Sequence, residues 1–230
     1  MGCTSLFVIA LVGLAMLLGV AWWGFGKLVN EYSSSQPAAV QTETTEADFA
    51  AANSKLNVVR EASRGNHPAT VEFTAAEINA LIARHEDFKE MRGKFRVGMA
   101  NSEMTMEMSV PLAAIKLPRI RDRWLNSTAR FGLIYHDDNF SFALRSLTAN
   151  GKDFSMRLLE GFATSFNDKF NESFMKARRK TERSADFWES VKTLAVIDDK
   201  LVLTTTGAET EDVDLDVPEE PEPTKPPETL

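Results

Sequence analysis

Cysteine is nearly absent, with Cys3 the only one in the chain. No intramolecular disulfide, thiolate metal cluster or cysteine nucleophile can therefore exist in the body of the protein. Histidine is almost as scarce. His67, His85 and His136 show no metal-ligand spacing among themselves, and the carboxylates beside two of them, Glu86-Asp87 and Asp137-Asp138, do not form an ordered ligand set. No Gly-x-Ser-x-Gly, phosphate loop, dinucleotide fingerprint or His-Glu-x-x-His motif occurs. The expectation is a non-enzymatic protein with no catalytic residue, no cofactor and no metal.

Positive charge is also in short supply. The net charge is -7, but residues 207–230 hold nine carboxylates against Lys225, so this tail carries -8 and the rest about +1. A near-neutral body offers no cationic face for releasing counterions from a duplex, and nucleic acid is not an expected partner.

What the chain does have is one long apolar run. Residues 6–25 are all apolar or glycine, about the 20 positions a helix needs to cross the hydrocarbon core. Trp22, Trp23 and Phe25 close it, with Lys27 and Tyr32 following, in the manner of an interfacial aromatic belt. A cleaved signal peptide is the rival reading. It is opposed by the absent basic n-region and by tryptophans where small residues should precede cleavage. Myristoylation at Gly2 fails on spacing, because its hydroxyl position is occupied by Leu6. Residues 1–27 are read as a transmembrane anchor, 28–46 as a flexible spacer lifting a domain off the membrane, 47–206 as an extracytoplasmic α+β domain, and 207–230 as a disordered, proline-rich acidic tail. The expected location is the cell membrane, crossed once.

Within the domain, residues 48–64 suit a helix, with Phe49, Ala52, Leu56 and Val59 on one face. A short strand at 71–73 leads into Thr74-Ala-Ala-Glu77, a capping box opening a helix that reaches about His85. Antiparallel hairpins follow. Met104, Met106, Met108 and Val110 alternate with polar residues after the Asn101-Ser102 turn, and residues 124–135 face 140–147 across Asp137-Asp138. A long amphipathic helix is expected over 155–183, and a last hairpin around Asp198-Asp199.

Two constellations carry the functional expectation. Phe162, Phe166, Phe170 and Phe174 recur every fourth residue, a stripe that must be covered by something apolar. Read as core, it packs on the sheet. Read as a site, it lines with Met104, Met106 and Met108 a groove between sheet and helix that takes lipid or another apolar ligand. Lys116, Arg119, Arg121 and Arg123 form a basic connection suited either to solvated surface or to anionic headgroups. A second basic group, Lys176 to Arg183, suits the negative end of the long helix. Asn126-Ser-Thr128 and Asn171-Glu-Ser173 are sequons that matter only in a eukaryotic secretory setting.

Three segments carry a resemblance: Phe73-Thr-Ala-Ala-Glu-Ile-Asn-Ala-Leu-Ile82, Leu147-Thr-Ala-Asn-Gly151 and Val196-Ile-Asp-Asp-Lys-Leu-Val202. With the anchor and the element order, they resemble small membrane-anchored bacterial proteins of the YpmS type, and more loosely lipid-binding modules in which a sheet wraps a helix. The resemblance implies an exported α+β domain and transfers no functional residue. The expected function is a membrane-anchored envelope protein that binds an apolar ligand, or alternatively a scaffold that binds another envelope protein.

Overall fold

The computed structural model describes residues 32–40, 43–114, 122–179 and 182–206. The apolar run at 6–25, the acidic tail from 207 onward, and Lys116, Arg119 and Arg121 lie outside the described residues. Among the described residues no helix is long and apolar enough to cross a membrane.

The chain is α+β, with an antiparallel sheet and helices. In order it forms α1 (Glu46–Gly65), β1 (Thr70–Thr74), α2 (Ala75–Arg84), a 3-10 turn (Glu86–Met91), β2 (Phe95–Ala100), β3 (Glu103–Pro111), β4 (Trp124–His136), β5 (Asn139–Ala149), β6 (Lys152–Asp153), α3 (Met156–Arg178), α4 (Glu182–Ser190), β7 (Val191–Ile197) and β8 (Lys200–Thr205). Both N-terminal helices open on capping boxes. Thr45 and Asp48 exchange hydrogen bonds of 3.1 Å at the start of α1, and Thr74 and Glu77 do the same for α2. Each box satisfies amides that have no partner inside the helix.

The hairpin turns place non-glycine residues in the left-handed region: Asn101 and Ser102, then Asp137 and Asp138. That geometry matches the twist of the flanking strands, and short polar side chains tolerate it. At Asn150-Gly151 the second turn residue is a glycine at φ 74°, where a Cβ would be strained.

The eight strands follow the order β1-β8-β7-β4-β3-β2, with β5 and β6 continuing from the other edge of β4. β4 is the hub. One of its edges runs along β5, whereas the other is shared, by β3 over Trp124 to Phe131 and by β7 from Ile134 onward. At this seam two turns meet head to head. Ser102 N donates to Asp198 O at 2.7 Å, and Asp198 N donates to Ser102 Oγ at 2.9 Å.

Burial alternates strictly along β4 and most of β3. One face is apolar and covered by helices; the other carries ion pairs such as Arg130 with Glu103 at 3.0 Å and Arg145 with the same carboxylate at 3.3 Å. These exposed pairs add little stability. They mark the wet side.

Two boundaries differ from the sequence expectation. The long helix does not continue to 183: α3 ends at Arg178, and α4 begins at Glu182. At the end of α3 the Arg178 side chain turns inward, 9% exposed, to meet Asp138 at 2.5 Å. The segment read as a free spacer is, over residues 32–38, bound to the domain. Ser34 and Trp124 exchange two backbone hydrogen bonds of 2.8 Å, and Ser33 is 1% exposed.

Candidate functional site

α3 lies on β5 with Phe166, Phe170 and Phe174 turned to the sheet. Phe166 meets Phe142 at a centroid distance of 4.8 Å; Phe170 meets Phe142 at 4.7 Å and Phe140 at 5.2 Å. Phe174 meets Phe140 at 4.9 Å and Trp188 at 5.0 Å. All five are edge-to-face, the arrangement that ring quadrupoles favour, each pair adding about 0.5–1.5 kcal/mol beyond area burial. The side chain of Phe162 lies outside the described residues. Met104, Met106 and Met108 are 1–2% exposed, on the strand between β2 and β4, and Phe131 joins their cluster to the rings through Phe142 at 5.9 Å. Phe166, Phe170, Phe174 and the three methionines thus belong to one packed interior.

What seats α3 so closely is a pair of asparagines that no periodicity argument singles out. Phe140 N donates to Asn171 Oδ1 at 2.8 Å while Asn171 Nδ2 donates to Phe140 O at 2.8 Å. One turn earlier, Asn167 makes the same double bond to Phe142, at 2.9 and 3.2 Å. Four helical residues rise about 6 Å and two strand residues about 6.8 Å, so amides at i and i+4 reach alternate strand residues. The helix thereby takes the place of a neighbouring strand along the edge of β5. α2 repeats the device on β2, where Asn79 holds Val97 N at 2.8 Å and Val97 O at 2.7 Å.

A second region is less filled. Leu56 and Val59 of α1, Leu81 of α2, Trp188 of α4, Leu194 and Leu203 line part of an apolar cavity of about 60 Å³. Trp188 forms its boundary with the ring cluster, and its buried indole N–H has no acceptor among the described residues. It is ringed by Tyr135, Phe140, Phe174 and Phe187 at centroid distances of 5.0 to 5.6 Å.

Tyr135 is fully buried and donates from its hydroxyl to Asp138 at 3.0 Å. Burial, followed by the bond to the Asp138 carboxylate, pushes its ionisation far above the ordinary tyrosine value of 10.0, against a smaller opposing effect of Arg178. The group ties the β4–β5 turn to the end of α3. Of the expected basic group on that helix, Arg178 serves this internal contact and Lys176 pairs with Glu172 one turn back.

At the other end of β4, Arg123 is the one expected headgroup residue within the described chain. Its guanidinium bonds the Ser33 hydroxyl and donates to Ser33 O at 2.8 Å. Asn126 accepts from Ala38 N at 3.0 Å and donates to Gln36 O at 3.0 Å, and Tyr32 stacks on Phe154 at 4.3 Å. Arg123 and Asn126 thus bond the backbone of the entering segment.

His85 accepts from Asp87 N at 3.3 Å, and His136 lies 3.1 Å from Asp137. Among the described residues no three histidine, cysteine or carboxylate side chains stand together as a metal site. No protein-family model, curated protein or solved structure matches the chain.

Proposed function

We propose that this chain is a membrane-anchored, non-enzymatic envelope protein whose domain acts through its surface, as a scaffold for another envelope protein. The anchor is the apolar run at 6–25, of membrane-spanning length. The observation that carries the reading is the state of the interior. Phe166, Phe170 and Phe174 meet rings rather than open space, so the interface that a lipid carrier needs empty is occupied by the protein itself.

Binding of an apolar ligand is the second reading, favoured by the cavity under α1 and α4 with its wholly apolar lining. Its size favours the scaffold instead. About 60 Å³ is well below the roughly 300–1,000 Å³ of small-molecule pockets. Lys116, Arg119 and Arg121 complete the proposal as headgroup contacts, each worth on the order of 1 kcal/mol beside anionic lipid.

The test uses the full chain in vesicles carrying a photoactivatable acyl lipid. Crosslinks confined to peptides from residues 6–25 are the expected result. Labelling at Phe166, Phe170 or the cavity residues Leu56 and Leu203 would replace the scaffold with a lipid carrier.

A further inference from the structure

The chain enters its domain at one defined place, the end of the sheet where β3 finishes and β4 begins. Ser34 pairs with Trp124, and Ser33 is enclosed by Arg123 and by Asn150, whose Nδ2 donates to Ser33 O at 3.2 Å. Ala38 N is held a second time, by Ser109 Oγ at 3.1 Å. The segment is fastened along its length by backbone pairing and by side chains from β3, β4 and the β5–β6 turn. It is a strap rather than a spacer.

Only six residues separate Phe25 from Tyr32. At about 3.5 Å per residue they reach no more than about 24 Å even fully stretched. β4 runs from Trp124 to His136, about 40 Å at strand rise, so the tether is shorter than the sheet it leads to. We infer that the strap stands the domain upright on the bilayer, with the Trp124 end of the sheet as its membrane-facing surface and a lipid headgroup layer as the partner of that surface. The opposite end, with the β4–β5 turn and α4, is then the one presented to other proteins. This rests on the proposed anchor at 6–25.

The test is energy transfer from single labels to a headgroup acceptor, with the full chain in vesicles and Cys3→Ser removing the native thiol. Asp122→Cys marks the strap end and Ser141→Cys the far end; both positions are exposed. Transfer several-fold stronger from position 122 is expected. Ser34→Pro, which removes the amide bonded to Trp124 O, and Asn126→Ala, which releases Gln36 and Ala38, should each collapse that difference. Vesicle-bound protein with equal transfer from both wild-type labels overturns the upright orientation and leaves the anchor standing. Protein that fails to float with the vesicles overturns the anchor and the orientation together.

Discussion

α3 meets the sheet through rings and amides, whereas α1 and α4 meet it across a void of about 60 Å³. On the α3 side, Asn167 and Asn171 form four hydrogen bonds to two strand residues. On the other side, the lining of the void at Leu56, Val59, Leu194 and Leu203 is apolar. Directional bonds fix how far a helix sits from a strand, and side chains can then fill the remaining space closely. Nondirectional contacts leave the separation to compromise, and a gap persists where shapes do not match.

The largest effect should come from emptying the filled side. Phe170→Ala is expected to cost about 3–5 kcal/mol, and Leu56→Ala, beside an existing void and half-buried, no more than about 2 kcal/mol. Urea melts of the two variants compare the interfaces directly. Equal losses would mean that they are packed alike. Next in size, Asn171→Ala strands the Phe140 amide and carbonyl and should cost about 1–3 kcal/mol, with faster amide exchange at Phe140 as its local signature. Normal exchange there would show that the clamp is dispensable.

A smaller effect is expected where the two regions join. In the folded chain Tyr135 keeps its proton beyond the pH at which the unfolded chain loses it. The stability that this group contributes is therefore full below pH 10 and is lost as pH rises beyond that value. Tyr135→Phe should cost about 1 kcal/mol at neutral pH and flatten the alkaline decline in melts between pH 8 and 11. An unchanged decline would assign it to other groups. Smallest is a gain. Val59→Leu adds a methylene at the void and should stabilise by about 0.5–1 kcal/mol, read as a rise in melting temperature. A loss would mean that the space is not available to α1.

The strands, their turns and the Thr74 capping box were legible because each depends on neighbours in sequence: alternation for β3 and β4, short polar residues for Asn101-Ser102 and Asp137-Asp138. The stripe of Phe166, Phe170 and Phe174 was legible as a face, but not whether that face met protein or ligand. That answer came from Phe140 and Phe142, about 30 residues away, and from Trp188, which a helix drawn as continuous to residue 183 left unassigned. That helix ends at Arg178, whose side chain meets Asp138, a partner 40 positions distant. The strap was hidden for a related reason. A Ser/Gln/Ala/Pro stretch has no apolar period, and its binding is backbone pairing with Trp124, which composition does not record.

The amide nitrogens of Asn126 and Asn171 are the atoms to which a secretory glycosylation enzyme would attach sugar, and both sit in sequons. Each is already committed, one to Gln36 O and the other to Phe140 O. A glycan on Asn171 would have to be added before α3 settles on β5, and would then hold the two apart. Production in a eukaryotic secretory host therefore sets the protein's folding against its processing, and Asn171→Gln, which removes the sequon, would also shift the clamp by one methylene. A host that does not glycosylate leaves both contacts intact.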